Sequence, residues 1–242
     1  MKKLTLIFPM AGQGARFGYR FKPFLELNGR SFIEEAFEPF RQWLPLIDTT
    51  YFIFTREQDA SHDVRERLSQ MFAGVAHDTV LLDAPTEGPA QTLSACLSAK
   101  MVEGPIMVCD CDHALDVDAL MGASNDAKVE CAVPTWDIAG EPLSSWSVAS
   151  VERDGRIAAV AEKTLPESGD CFRGVIGCYY FADAQLVRAC VTDRGMLYLS
   201  DVIGRYLRDG RGVYSVPIAR ARFFGDPARL AQTIGGANAP PR

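Results

Sequence analysis

Residues 4–23, which read LTLIFPMAGQGARFGYRFKP, constrain the fold more than any other part of the chain. The apolar run over residues 4–8 has the length of a buried strand, and Pro9 ends it because proline has no N–H for a sheet ladder. The small residues that follow let backbone N–H groups approach a ligand and form an anion-binding concavity. Arg16 and Lys22 place cations at its rim. The stretch therefore predicts a strand that leads into a binding site for several phosphates.

The residues alone leave three interpretations of this loop open. A dinucleotide fingerprint needs G-x-G-x-x-G, but Phe17 stands at the sixth position and Gly18 comes one residue late. A Walker loop needs G-x-x-x-x-G-K-[ST], a string that the chain does not contain. A glycine-rich turn between a strand and a helix, without a ligand, also explains a bare G-x-G. The nearby cations Arg16 and Lys22 favour phosphate binding over that plain turn.

Composition narrows the class of ligand. The 242 residues fit one large domain or two small ones, and 48% hydrophobic with 23% charged residues is ordinary for a globular protein. The net charge of −6 argues against nucleic acid as a partner. Residues 1–30 nevertheless carry six lysines and arginines against one glutamate. Positive charge is thus concentrated beside the glycine loop, which favours a small anionic ligand.

Three patterns bear on localisation. The first residues combine two lysines with an apolar run, as signal peptides do, but Pro9 interrupts the run and Arg16 follows at once. No stretch approaches the roughly 18 apolar residues of a membrane span. The seven cysteines are scattered, and Cys109 and Cys111 do not have zinc-site spacing. We therefore expect a cytoplasmic protein with reduced cysteines and no membrane partner.

The first half of the chain alternates strand and helix patterns. Ser31 and Glu34 have the spacing of a capping box at a helix start. Apolar runs predict buried strands over residues 4–8, 50–55, 79–82 and 105–109. Helices are predicted between them over residues 59–72 and 89–102. This alternation predicts an α/β fold with a doubly wound, mostly parallel sheet.

Beyond residue 115 the pattern becomes mixed. Strands are predicted over residues 129–134, 147–152, 156–162 and 172–181, with Asp154-Gly155 as a hairpin turn. Helices at 183–190 and 200–207, a strand at 212–216 and a short helix after Pro227 follow. We expect a single domain over residues 1–234, with halves at 1–115 and 116–234, and a flexible tail over residues 235–242.

The order of these parts resembles the nucleotidyltransferases that join an NTP to a sugar phosphate or a similar phosphorylated molecule, among them the MobA-like NTP transferases. In that family a strand leads into G-x-G-[small]-R-[apolar], then K-P, an apolar segment and a turn such as N-G. Here these parts are residues 12–17 (GQGARF), 22–23 (KP), 24–27 (FLEL) and 28–29 (NG). The resemblance extends to about residue 230 and is that of a small, single-domain member. It implies a three-layer, Rossmann-like α/β/α sandwich with the nucleotide in the first half and the acceptor in the second.

The resemblance implies nucleotide contacts at two places. The glycine loop supplies Met10, Ala11, Gly12, Gln13, Gly14, Ala15 and Arg16. Gly88 and Pro89 lie in a turn similar to the one that frames the nucleotide base, and Asp83 before it is a candidate acceptor for a base amino group. A plain helix start is the alternative explanation of this turn, because Pro is common at the first helical position.

Candidate metal ligands are aspartates after strands. Asp110 and Asp112 follow a predicted central strand, at the edge where open parallel sheets place ligands. Carboxylates there suit Mg²⁺, although aspartates are also common turn residues. The family's N-x-D-[HQ] pattern assigns the metal to Asp112 and leaves His113 beside it. Asp226 is the second candidate ligand, and Asp226 before Pro227 is equally typical of a helix N-cap.

The acceptor side rests on Glu162-Lys163, which resembles the family's V-x-E-K element. There the lysine contacts the acceptor phosphate, and the glutamate contacts a hydroxyl or amine. Gly177 lies in a segment that matches the family's order and is assigned to the same side. A solvated charge pair at a strand end is the alternative explanation of Glu162-Lys163.

The implied reaction is NTP plus phosphorylated acceptor giving NDP-acceptor and pyrophosphate, with Mg²⁺ as cofactor and Arg16, Lys22 and Lys163 as catalytic residues. The expected partners are therefore an NTP and a phosphorylated small molecule, and a homo-oligomer is compatible with the pattern. Three alternatives remain: a cytidylyltransferase for a non-sugar acceptor such as phosphocholine or phosphoglutamine, a non-catalytic nucleotide-sensing module, and a dinucleotide-dependent oxidoreductase. The broken glycine pattern disfavours the last.

Overall fold

A ten-stranded mixed sheet runs through the protein in the computed structural model, which describes residues 3–167, 169, 171–191 and 195–236. The strands are β1 Leu4–Pro9, β2 Glu26–Leu27, β3 Arg30–Ser31, β4 Ile47–Thr55, β5 His77–Leu82, β6 Ile106–Cys109, β7 His113–Leu115, β8 Cys131–Trp136, β9 Ser147–Val151, β10 Ile157–Glu162, β11 Phe172–Val175, β12 Cys178–Phe181, β13 Val213–Pro217 and β14 Ala221–Phe223. The helices are α1 Phe32–Phe37, α2 Arg56–His62, α3 Val64–Met71, α4 Pro89–Ala99, α5 Asp118–Ala123, α6 Ala184–Val191, α7 Leu199–Arg208 and α8 Pro227–Ile234.

The sheet has the order β10-β9-β11-β8-β12-β6-β1-β4-β5, with β13 paired to β8. The strands of the first half, β1, β4, β5 and β6, pair in parallel. Those of the second half pair mainly antiparallel, because β9 and β10 form a hairpin and β11 and β12 run against β8. The change in the strand and helix pattern that the sequence shows beyond residue 115 therefore corresponds to a change from parallel to mainly antiparallel strand pairing.

Helices cover both faces of the sheet, since alternate residues of each strand point to opposite sides. In β1, Leu6 and Phe8 pack in one core with residues of α1, α3 and α5. Ile7 packs in the other core with residues of α4, α6 and α7. The predicted three-layer α/β/α sandwich is confirmed.

Local backbone signals correct the predicted helices. The capping box at Ser31 and Glu34 is present, but α1 ends at Phe37 and continues as a 3₁₀ segment, Glu38–Leu46. The prediction of a single helix over residues 59–72 was wrong, because the structure has two helices there. Asp63 adopts a left-handed conformation with φ 51°, and this residue separates α2 from α3.

The strand predicted over residues 172–181 is likewise two strands, β11 and β12, separated at Ile176 and Gly177. The N–H of Ile176 still donates to the carbonyl of Pro134 in β8 at 2.9 Å, so one edge stays paired across the interruption. On the other edge, β12 pairs with the whole of β6, and β11 pairs with residues 147–150 of β9. Strands β6 and β9 therefore follow one another along the same side, and a gap opens between them.

Two short ribbons were not predicted as strands, although the predicted turn at Asn28-Gly29 joins the two strands of the first. Strands β2 and β3 form one, and β7 pairs antiparallel with β14 in the other, which places His113 opposite Phe223. The last helix, α8, ends at Ile234, and most of the predicted tail, residues 237–242, lies outside the described residues. The division into halves at residue 115 stays a prediction. No helix within the described part of the chain has the length and apolarity that a membrane crossing requires.

Candidate active site

The glycine loop follows β1 and is built around Gly14, which adopts the left-handed conformation with φ 65°. Its carbonyl accepts hydrogen bonds from the N–H groups of Phe17 at 2.9 Å and Tyr19 at 3.1 Å. A Cβ at position 14 would lie 2.1 Å from the carbonyl oxygen of Arg20. Any larger residue there would break this turn, because the conformation is strained for other residues and no space exists for a side chain.

A cavity of about 330 Å³, here called the loop cavity, lies against this turn. Its lining includes five of the residues assigned to the nucleotide: Met10, Gly12, Gly14, Ala15 and Arg16. Ala11 is buried behind it, and Gln13 is exposed outside it. The N–H groups of residues 12–14 have no hydrogen-bond partner among the described residues. Unpaired N–H groups at a small-residue turn are suited to phosphate oxygens.

Gln58 holds the loop from the side, and no sequence pattern indicated a function for it. Its Oε1 accepts a hydrogen bond from the N–H of Thr55 at 2.8 Å, as part of the capping box of α2. Its Nε2 donates to the carbonyl of Gly12 at 3.1 Å. One amide therefore ties the start of α2 to the glycine loop.

Lys22 and Asp112 form an ion pair at the inner end of the loop cavity, with Nζ 2.7 Å from Oδ2. Burial alone would lower the pKa of Lys22, but the Asp112 carboxylate more than offsets it and holds that pKa above its usual value. Burial would raise the pKa of Asp112, and the charge of Lys22 together with the His113 contact holds it well below its usual range. Both groups are therefore charged near neutral pH.

Asp110 and His113 complete a cluster around Asp112. Ligand atoms of the three side chains lie within 4.8 Å of one another. Burial, followed by the nearby Asp112 carboxylate, raises the pKa of Asp110 to about 6. The Nδ1 of His113 lies 3.3 Å from Oδ1 of Asp112, and its Nε2 is buried without a hydrogen-bond partner. Two carboxylates with an adjacent unpartnered imidazole fit a divalent cation.

Gly177, assigned to the acceptor side, packs directly on this cluster. Its carbonyl accepts a hydrogen bond from the N–H of Asp110 at 2.7 Å. A Cβ at position 177 would lie 2.1 Å from Oδ2 of Asp110. The interruption between β11 and β12 therefore makes room for the Asp110 carboxylate.

Asp226 has the geometry of a helix cap. Its Oδ1 accepts a hydrogen bond from the N–H of Arg229 at 2.9 Å, and Pro227 occupies the first position of α8. Its Oδ2 lies 3.6 Å from Nε of Arg229. Metal binding by Asp226 stays a prediction.

A second cavity of about 520 Å³, here called the outer cavity, opens on the far side of the cluster. Glu162, Lys163 and Gly177 line it, together with Asp112 and Asp226. The two cavities share Arg16, Asp110 and Gly225 among their lining residues. The loop and the Glu162-Lys163 pair, far apart in sequence, therefore line two neighbouring cavities that meet at these three residues.

Two serines hold Glu162, and neither was predicted. Its Oε2 accepts hydrogen bonds from Oγ of Ser147 at 2.5 Å and Oγ of Ser200 at 2.8 Å. Ser147 lies opposite Glu162 in the β9–β10 hairpin, and Ser200 comes from α7. Oε1 of Glu162 has no partner among the described residues and remains available.

Lys163 adopts the left-handed conformation with φ 59°, which is uncommon outside glycine and costs free energy. Its N–H donates to the carbonyl of Trp146 at 2.9 Å, and its Nζ lies 5.8 Å from the ring centre of Tyr198. The side chain has no ion-pair partner within the part of the chain that the structure describes. Its charge is therefore free to meet an anion in the outer cavity.

The residues assigned to the nucleotide base lie outside both cavities. Asp83 is exposed at the end of β5 and pairs with Arg56 at 2.8 Å. Gly88 packs against Leu197, whose carbonyl accepts the N–H of Ala90 at 3.0 Å. Pro89 is the first residue of α4. Base contacts by Asp83, Gly88 and Pro89 stay predictions.

Comparison with solved structures shows which known fold this protein has. The nucleoside-diphosphate-sugar pyrophosphorylase from Vibrio cholerae RC9 superposes with a TM-score of 0.79 at 21% identity, covering 95% of this chain and 99% of that one. The UTP-bound UGPase from Acinetobacter baumannii gives 0.76 at 14%, with coverage of 98% and 93%. The inositol-1-phosphate CTP transferase from T. maritima gives 0.73 at 15%, with coverage of 99% and 98%. At these identities the likeness establishes the fold, which is that of the nucleotidyltransferases.

The family follows from the sequence itself. The family model described as the MobA-like NTP transferase domain matches residues 7–168, more than half of the chain. The chain belongs to this family, and the predicted identity as a nucleotidyltransferase is confirmed. Comparison with curated protein sequences gives no significant match.

A double-mutant cycle tests the ion pair at the centre of the site. Lys22→Met and Asp112→Asn each remove it, and both side chains are less than a third exposed, at 28% and 19%. Because each single variant leaves one charged group without its partner, we expect a coupling energy of about 0.5–3 kcal/mol. Urea unfolding of the parent, both single variants and the double variant measures it. Additive effects within about 0.3 kcal/mol would show that the two charges do not stabilise each other.

Proposed function

We propose that the protein transfers the nucleotidyl group of an NTP to the phosphate of a hydroxyl-rich acceptor, such as a sugar 1-phosphate, and releases pyrophosphate. The observation that supports this reaction is the junction of the two cavities at Asp110. The loop cavity has unpaired N–H groups and Lys22, and the outer cavity has Lys163. Two phosphorylated ligands entering from either side would bring their phosphates together beside Asp112.

The loop cavity suits the triphosphate. The unpaired N–H groups of residues 12–14 and the exposed guanidinium of Arg16 face the position that the β- and γ-phosphates would take. Lys22 lies deeper, next to the carboxylates, and would offset charge at the α-phosphate. Arg16 lines both cavities, so it also stands close to the bond that breaks.

Asp112 and Asp110 are the residues that would hold Mg²⁺, with His113 against them. When bound, the cation would neutralise charge that develops on the phosphate oxygens. Lys22 already stabilises the ionised form of Asp112, so this carboxylate is ready as a ligand near neutral pH.

The reaction needs no nucleophile from the protein. An oxygen of the acceptor phosphate forms a bond to the α-phosphorus, while the bond from that phosphorus to the bridging oxygen of the β-phosphate breaks. Pyrophosphate leaves with the electron pair of the broken bond. Lys163 would orient the attacking phosphate, and catalysis would rest on positioning and on charge neutralisation.

The lining of the outer cavity favours a hydroxyl-rich acceptor. Ser144, Ser145 and Ser147 lie on its wall, and Oε1 of Glu162 is available to accept a hydrogen bond from a hydroxyl. Phosphocholine and phosphoglutamine lack such a set of hydroxyls. A sugar phosphate therefore fits this wall better than the non-sugar acceptors do.

Release of pyrophosphate tests the proposal directly. The protein is incubated with each NTP, Mg²⁺ and a panel of phosphorylated acceptors that contains sugar 1-phosphates. We expect release only when an NTP and an acceptor are both present, with loss in EDTA and after Asp112→Asn. Asp226→Asn should retain more activity, because asparagine still caps α8. Hydrolysis of an NTP without any acceptor dependence would contradict the proposal.

Lys163→Ala tests the division of labour between the cavities. It removes a cation from the outer cavity and leaves Arg16 and Lys22 in place, so NTP affinity measured by calorimetry should stay within about threefold, or about 0.7 kcal/mol. The acceptor KM should rise, or kcat should fall, by about tenfold or more. Lys100→Ala, which removes a lysine paired with Asp78 away from the cavities, is the matched control. Unchanged acceptor kinetics in Lys163→Ala would show that Lys163 is a solvated surface residue with no role in acceptor binding.

A further inference from the structure

We propose that Arg229 determines acceptor specificity by filling, with its own guanidinium, a box of aromatic rings and carboxylates that would otherwise bind a quaternary ammonium group. The claim about acceptor specificity rests on the proposed function, whereas the claim that these residues form a cation-binding box does not. The box consists of Trp146, Phe223, Glu141 and Asp226.

Two aromatic rings form perpendicular walls around the guanidinium. The Arg229 carbon Cζ lies 4.5 Å from the ring centre of Trp146 and 5.2 Å from that of Phe223. The two rings are 5.4 Å apart with an interplanar angle of 85°. Aromatic side chains attract a cation that lies over the ring face within about 6 Å of the ring centre, and both rings meet this condition.

Two carboxylates complete the box. Oε2 of Glu141 lies 3.0 Å from Nη2 of Arg229, and Oδ2 of Asp226 lies 3.6 Å from its Nε. Glu141 is itself held by the indole N–H of Trp146 at 2.8 Å. Among the described residues, Arg229 is the ion-pair partner of both carboxylates. Without the guanidinium, the box would carry two negative charges and no cation.

The box belongs to the wall of the outer cavity. Trp146, Phe223, Asp226 and Arg229 all line that cavity together with Lys163. The Arg229 side chain is only 19% exposed, so its charge is packed into the wall. An acceptor whose phosphate reached Lys163 would thus have its other end close to this wall.

Occupation by an internal cation has a clear effect on binding. The guanidinium is attached to the chain and therefore competes with any free cation at a high effective concentration. It also repels a second positive charge from the same wall. Phosphates with a trimethylammonium group are excluded on both grounds, whereas uncharged hydroxyl groups are not.

Arg41 provides a matched control elsewhere in the chain. Its guanidinium lies 5.6 Å from the ring centre of Phe37, and its Nε lies 2.9 Å from Oε2 of Glu38. Arg41 thus has a carboxylate and one ring, but it lacks the second perpendicular ring. Its removal leaves no box.

Tetramethylammonium is the probe for the box, because it has the cationic head without a phosphate. Proton NMR titration of its methyl resonance measures binding to the parent, Arg229→Ala and Arg41→Ala. We expect Arg229→Ala to bind it at least tenfold more tightly than the parent, or about 1.4 kcal/mol, and Arg41→Ala to match the parent. Adding Trp146→Ala to Arg229→Ala should abolish the gain. Equal binding by Arg229→Ala and the parent would overturn the proposal.

Two further arms keep the result decisive. If circular dichroism shows that Arg229→Ala is unfolded, Arg229→Ser is used, and saturable binding to the parent itself would refute the proposal without any variant. In the pyrophosphate assay, Arg229→Ala should gain phosphocholine as an acceptor or as a competitor of the parent's acceptor. Tetramethylammonium binding with no NTP-dependent pyrophosphate release from parent or variant would support the box and refute the proposed reaction. Folded variants with no gain in either arm would refute the role of Arg229.

Discussion

The ion pair between Lys22 and Asp112 is the interaction on which the site depends. The two residues are 90 positions apart in sequence and come together because β1 and β6 are parallel neighbours, whose loops emerge at the same edge of the sheet. Burial of either charge alone would be costly, so each requires the other. The pair fixes the end of the glycine loop against the carboxylate cluster, and any change in the β1–β6 register would separate them.

The second requirement is an opening in the sheet at that edge. Strands β6 and β9 share one side of the interrupted β11–β12 strand, and Asp110, Ser147 and Gly177 all line the outer cavity at this interruption. Parallel pairing supplies the glycine loop on one side, and the antiparallel hairpin supplies Glu162 on the other. The change of pairing within the sheet thus creates two cavities that meet, which suits a reaction between two separate substrates.

Local sequence patterns predicted the features that arise locally. The glycine loop, the capping box at Ser31 and the alternating strands and helices depend on neighbouring residues, so the sequence shows them. The interruption at Gly177 depends on Asp110, which comes from another strand. The serine partners of Glu162 lie 15 and 38 positions away, and Glu141 lies 88 positions from Arg229. Contacts of this kind follow from tertiary packing, and their residue types carry no signal of their own.

The proposed reaction is a direct transfer between two ligands, with no covalent intermediate on the protein. The stereochemical course at the α-phosphorus distinguishes this transfer from a two-step route. A single diastereomer of an NTP α-phosphorothioate is turned over with the acceptor, and the configuration of the product is assigned by phosphorus NMR. A single in-line displacement at the junction of the two cavities predicts inversion of configuration at the α-phosphorus. Retention would require two displacements through a protein nucleophile and would rule out direct transfer.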